Sequence, residues 1–259
     1  MKLGFIGTGT IASSIVRGLG AEFGEQSSIQ LSPRSVHIAT ELARQFPHVH
    51  VAASNQMVLD ASDVVILAVR PQIAQEVIAP LRFRSDHHVI SLIATLAMET
   101  VTALVAPART VTRAVPLPAV AYGRGATAIY PPDPVAAGLF DRLGSAIQVD
   151  RAETFEALWA ATATMASYFA FADSISSWLT RNGVEAAQAR HYVAALFGGL
   201  SVTTGQATDR DFPTLAVEHA TLGGLNEQLM THLAEQGLFA GVKDGLDEIL
   251  LRIRGKSAN

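Results

Sequence analysis

Along the first 150 residues, short apolar runs alternate with stretches whose apolar positions recur at helical spacing. Runs at 2–6, 28–31, 49–52, 64–69, 88–93, 110–114, 126–130 and 146–149 predict strands, several of them continuously apolar rather than alternating. Continuous runs suit strands covered on both faces. Between the first strands, 11–19, 36–46 and 72–81 carry helical periodicity at lengths that suit βαβ crossovers. This half reads as an α/β unit, an N-terminal Rossmann-type doubly wound parallel sheet over 1–150.

Beyond Asp150 glycine and proline thin out and long helical patterns take over, at 153–179, 185–204, 214–220, 225–235 and 238–253. The last sets Phe239, Val242, Leu246, Ile249, Leu250 and Ile253 on one face and Lys243, Asp244, Asp247, Glu248 and Arg252 on another, which predicts packing by a single stripe. Residues 151–259 therefore read as an all-helical domain. The stretch 158–179 carries no charge but Asp173 and is long enough to span a bilayer. Its Ser, Thr and Ala content and the stop at Arg181-Asn182-Gly183 favour a helix buried on most faces.

Composition narrows the function classes. Hydrophobic residues make up 49% and charged residues 16%, which excludes a disordered chain. A net charge of −4 gives no field to attract nucleic acid, so neither a nucleic-acid nor a membrane partner is expected. Cysteine is absent, which removes disulfides, thiolate zinc sites and cysteine nucleophiles, and fits a reducing cytoplasm. The N-terminal apolar run is interrupted by Gly7 and Gly9 and reads as a strand rather than a secretory signal. No metal site is expected: His48, His50, His87 and His88 lack zinc spacing and read as surface residues, and His219 reads as a helix-terminal residue.

Gly7-Thr8-Gly9-Thr10-Ile11-Ala12 follows the first strand and opens the first helix, the context of a dinucleotide fingerprint. Gly7 permits the tight turn, Gly9 admits a pyrophosphate to the backbone, and Ala12 keeps helix and sheet close. The helix N-terminus adds free N–H donors. At the end of the second strand an NAD site places an acidic residue to hold the ribose 2′-hydroxyl, yet none occurs between Glu25 and Glu41. Ser32, Arg34 and Ser35 stand there instead, a set suited to a 2′-phosphate and hence to NADP(H).

The stretches Gly4-Phe5-Ile6-Gly7-Thr8-Gly9, Ser32-Pro33-Arg34-Ser35, Ala-Ser-Asp-Val-Val-Ile-Leu-Ala-Val-Arg-Pro-Gln at 61–72 and Arg-Ala-Val-Pro-Leu-Pro-Ala at 113–119 together resemble the pyrroline-5-carboxylate reductases, which reduce a cyclic imino acid to proline. The resemblance implies a dimerising helical half, a homodimer or higher homo-oligomer, and a small-molecule imino acid substrate. It places Asn55, Ala68, Val69, Arg70 and Pro71 along the dinucleotide and Val115, Pro116 and Leu117 by nicotinamide and substrate. Asn55 also reads as a helix cap, Arg70 as a solvated loop residue and the two prolines as a rigid turn.

The helical half departs from this pattern twice. The family's Gly-rich Ser-Gly-Ser-Gly-Pro-Ala run is replaced by Ala-Thr-Met-Ala-Ser-Tyr-Phe-Ala at 163–170, and its Pro-Gly-Gly-Thr-Thr by Leu222-Gly223-Gly224-Leu225-Asn226. Gly223 and Gly224, with Leu225, remain candidates to hold a substrate carboxylate through backbone N–H groups. Asn226 and Tyr168 are the candidate donors toward the imine nitrogen, although an iminium already carries its proton. Two other readings are a β-hydroxyacid-type dehydrogenase, disfavoured because no lysine occurs between Lys2 and Lys243, and a non-catalytic NADP(H)-binding protein.

Overall fold

The computed structural model describes residues 1–20, 27–93 and 95–255. Its chain divides into two compact units, Met1–Trp159 and Ala160–Asn259. The first holds an eight-stranded sheet in the order β3-β2-β1-β4-β5-β6-β7-β8. The strands are β1 (Lys2–Ile6), β2 (Ser28–Leu31), β3 (Val49–Val51), β4 (Val64–Leu67), β5 (His88–Ser91), β6 (Thr110–Pro116), β7 (Gly125–Tyr130) and β8 (Gly144–Gln148). The helices between them are α1 (Thr10–Gly20), α2 (Val36–Gln45), α3 (Asn55–Asp60), α4 (Pro71–Ile78), α5 (Met98–Leu104) and α6 (Pro134–Asp141), with a 3₁₀ turn at Pro118–Tyr122.

The continuously apolar strands are covered on both faces. Phe5, Val64 and Ile66 join Leu31 and Phe140 in one core, while Ile6, Val65, Leu67 and Val89 join Leu59 and Ile78 in the other. Successive strand side chains point to opposite faces, so each run supplies both cores. The sheet is mostly parallel, as expected, with one antiparallel pair. β6 and β7 pair antiparallel, with Arg113 opposite Tyr130 and Pro116 opposite Thr127. The connection at 117–124 is too short for a crossover, which needs about a dozen residues. After it, α6 returns the chain and β8 lies parallel to β7.

The histidines are not all surface residues. His87 is 1% exposed, held by the backbone N–H of Arg84 donating to its Nδ1 (3.0 Å) and by Nε2 against the Leu59 carbonyl (3.1 Å). Since Nδ1 accepts, Nε2 carries the hydrogen and donates. Nε2 of His88 meets Oδ1 of Asp133 at 2.8 Å, and the same oxygen accepts from the Ala136 N–H at 2.7 Å to cap α6. The His87–Leu59 and His88–Asp133 contacts join elements distant in sequence, so local pattern could not show them.

The second unit continues α7 (Ala152–Ala161) with α8 (Thr164–Arg181), α9 (Ala186–Gln206), α10 (Phe212–His219), α11 (Leu225–Glu235) and α12 (Leu238–Ile253). The single helix expected through 179 is therefore two, separated at Thr162–Ala163 where i→i−3 bonds take over. α8 is also not buried within the chain: none of its residues is, and Phe169 is 68% exposed. On α12 the expected stripe is only half covered at Leu246, Ile249, Leu250 and Ile253, while Phe239 and Val242 are exposed.

Candidate functional site

The turn from β1 into α1 is shaped by backbone sterics. Gly7 has φ +101°, and a Cβ there would lie 2.6 Å from the Ala68 carbonyl oxygen on the neighbouring strand end. Gly9 has open space above it, with nothing within 4 Å of a would-be Cβ. The first intrahelical bond runs from the Ser13 N–H to the Gly9 carbonyl at 2.9 Å, so the amides at the head of α1 have no partner within the helix. An open approach to unpartnered amides at a helix N-terminus fits a pyrophosphate.

The end of β2 locks this turn in place. The Gly7 N–H donates to Ser32 Oγ at 2.9 Å, and Thr8 Oγ1 donates to the Ser32 carbonyl at 3.1 Å. Thr8 has one hydroxyl proton, so in its 3.2 Å contact with Ser32 Oγ the serine is the donor. Both hydroxyls are committed to the turn, and Ser32 builds the site rather than offering a free donor. Ser35 differs: it occupies the N-cap of α2 without a side-chain capping bond, which leaves its hydroxyl for a ligand.

Gly7, Thr8, Gly9, Ser32, Arg34, Ser35, Asn55, Ala68, Val69 and Arg70 line one groove of about 260 Å³. Ile73 and Val77 of α4 complete it; their part in the groove was hidden because both also fit the apolar face of a crossover helix. Thr10, Ile11 and Pro71 stand behind it as the first residues of α1 and α4. The cap of α3 is Ser54, whose Oγ accepts from the Met57 N–H at 3.2 Å, so Asn55 is not the cap. Arg34 and Arg70 are exposed and form no ion pair among the described residues, and no acidic residue lines the groove. The wall thus carries two free cations and no group that would repel a phosphate.

Val115 and Pro116 end β6, and Leu117 caps the 3₁₀ turn. Below them Arg113 is largely buried, its guanidinium 4.9 Å from the Phe155 ring centroid and 5.9 Å from that of Trp159. Burial pushes its pKa down, partly offset by the negative charges of Glu156 and Glu99. In the second unit, Tyr168 lies on α8 with its ring 5.6 Å from Phe197 and 5.3 Å from Phe169. His219 ends α10 with Nδ1 2.8 Å from the Leu215 carbonyl, a helix-terminal placement. The turn before α11 is closed internally. Gly223 N–H donates to Glu227 Oε2 at 2.6 Å, Gly224 N–H to the Thr221 carbonyl at 2.8 Å, and Asn226 Nδ2 to the His219 carbonyl at 2.8 Å. No group of three or more His, Asp or Glu side chains among the described residues could hold a metal.

A β-α-β nucleotide groove of this kind defines a dinucleotide-binding protein class. Residues 2–95 match the family described as NADP oxidoreductase coenzyme F420-dependent. Among curated relatives, the pyrroline-5-carboxylate reductase of Pseudomonas aeruginosa is 25% identical over 177 residues, 65% of this chain and 64% of that protein. The matched stretch thus spans less than two thirds of the relative's length. Among solved structures, a pyrroline-5-carboxylate reductase from Coxiella burnetii superposes with a TM-score of 0.85 at 22% identity, over 99% of this chain and 98% of that one. The Plasmodium falciparum pyrroline carboxylate reductase, solved with NADP bound, gives 0.82 at 16% identity over 100% and 98%. In sequence over 65% of its length, and in fold throughout, the chain resembles the pyrroline-5-carboxylate reductases.

Proposed function

We propose that this protein is an NADP(H)-dependent reductase of a small cyclic imine, with 1-pyrroline-5-carboxylate, from which its relatives take their name, as the reference compound. The observation that carries the cofactor side is the groove with unpartnered α1 amides and the free cations Arg34 and Arg70. Gly7 and Gly9 admit the pyrophosphate, Arg34 and Ser35 take the 2′-phosphate, and Asn55, Val69 and Arg70 line the dinucleotide. The resemblance gives Val115, Pro116 and Leu117 to the nicotinamide end and Gly223, Gly224 and Leu225 to the substrate, with Tyr168 as a candidate donor. Residues 151–259 serve as the dimerisation domain.

When bound, the reduced nicotinamide supplies a hydride to the imine carbon, the C=N π pair moves to nitrogen, and a neutral secondary amine and the oxidised cofactor result. The chain's residues have to hold the ring against the cofactor face and keep the nitrogen protonated before transfer. A cyclic iminium arrives protonated, so no strong acid is required. This agrees with Asn226, whose amide hydrogen already bonds the His219 carbonyl. The test is NADPH oxidation with cyclic imines, 2-oxo acids and 3-oxo acids, expected to show turnover of imines only. Turnover of oxo acids but not imines overturns the reading, and tight NADPH binding without turnover of any compound replaces it with a non-catalytic role.

A further inference from the structure

We infer that the turn opening α11 selects a protonated imine that lacks a carboxylate. The inference rests on the reductase reading above and on its placement of Gly223–Leu225 at the substrate. A glycine-glycine turn at a helix start holds an anion through free N–H groups. Here the Gly223 N–H is taken at 2.6 Å by the carboxylate of Glu227, and the Gly224 N–H by the Thr221 carbonyl at 2.8 Å. The internal carboxylate sits where a substrate carboxylate would have to bind, and two like charges at one turn repel.

Acceptors, in contrast, are available at the same turn. The Asn226 amide is oriented by the 2.8 Å bond from Nδ2 to the His219 carbonyl, because the flipped amide would set oxygen against oxygen. That leaves Oδ1 with no partner among the described residues, able to accept from an iminium N–H. The cavity beside the turn, about 900 Å³, is lined by Glu227, Glu235 and His232 with Trp178, Leu225 and Leu229, and no arginine or lysine lies on its wall. Two carboxylates and apolar or aromatic surface, with no permanently charged cation among them, describe a site for a ring that carries positive charge and no negative charge. Glu227 is then the specificity-determining residue.

The experiment compares kcat/KM for 1-pyrroline and 1-pyrroline-5-carboxylate, with NADPH saturating and ionic strength constant, in the wild type, Glu227→Gln and Glu227→Ala. Glutamine can still accept from the Gly223 N–H through its Oε1 and removes only the charge. The wild type is expected to favour 1-pyrroline at least tenfold. Glu227→Gln should narrow that ratio at least fivefold, chiefly by lowering KM for the carboxylate-bearing imine, and Glu227→Ala should narrow it as well. A purely structural cap would lower the thermal midpoint of Glu227→Ala while leaving the ratio of both variants at the wild-type value, which overturns the inference. A wild-type preference for the carboxylate-bearing imine overturns it too, with the reductase reading intact. No turnover of either imine by a protein that binds NADPH overturns the reductase reading itself, and this inference with it.

Discussion

Arg34 projects into the groove with no acidic neighbour on its wall, so its charge is available to a 2′-phosphate. Arg34→Asp removes a charge-assisted pair worth about 1.5–3 kcal/mol and adds repulsion. We expect NADPH affinity to fall by roughly ten- to a hundredfold, the equivalent of that loss, with NADH changed only a few-fold; fluorescence titration of both cofactors checks this. Equal losses would refute the 2′-phosphate assignment. His87 governs pH behaviour. Burial first, then the Arg84 cation, lowers its pKa, and the Arg84 N–H facing Nδ1 leaves no room for a second ring proton. The unfolded chain therefore binds this proton more readily. Its contribution is complete above the ordinary histidine pKa of about 6.5 and is lost as pH falls below it. The thermal midpoint should drop between pH 7 and pH 5.5, and less so in His87→Gln; parallel curves would refute the assignment. Arg34 was legible in the chain because a missing acid is a local fact. Ser32 was misread because its hydroxyl is engaged by a loop residue far away in sequence, and His87 because its ring N–H donates to the Leu59 carbonyl on another element.

At the scale of elements, the β1–α1 turn is the most tightly specified. Gly7→Ala sets a methyl against the Ala68 carbonyl in a positive-φ conformation, so we expect a loss of about 1–3 kcal/mol in stability together with cofactor binding. Denaturant melts and cofactor titration report the two effects separately. Strand β7 offers the opposite case: Thr127 is 0% exposed and its Oγ1 has no partner among the described residues. Thr127→Val keeps the shape and removes a buried hydroxyl without a hydrogen bond, so stability should rise by about 1 kcal/mol. A midpoint below the wild type would show that the hydroxyl has a partner after all. Strands and long helices were readable because apolar periodicity marks them. The short helices α3 and α5 were not, since each presents too few apolar positions for a period to emerge. The antiparallel placement of β7 followed from the short 117–124 connection, a length constraint that strand patterns do not carry.

At the scale of the molecule, the helical unit exposes more apolar surface than a free chain retains in water. Tyr168, Phe169, Phe171 and Trp178 on α8, and Tyr192, Leu196, Leu200 and Val202 on α9, are all exposed. Among the described residues no helix is long and apolar enough to cross a membrane. Such a face calls for a protein partner, and we expect a homodimer formed through this unit. Light scattering at micromolar concentration should give twice the chain mass, and Phe169→Glu should shift it toward the monomer. A monomeric wild type would refute the proposal.

The alternation of strands and crossover helices, the glycine turn after β1 and the absence of an acid after β2 are all written in the order of the residues. Each of these is a matter of neighbours within a few residues, where period, turn sterics and charge act directly. Only the tertiary structure decided which polar groups are already satisfied. Ser32 and Thr8 close the cofactor turn, His87 is sealed under α3, and the Gly223, Gly224 and Asn226 donors are taken by Glu227, Thr221 and His219. Hydrogen bonds are short and directional, so the availability of a donor depends on which acceptor the fold brings within about 3 Å.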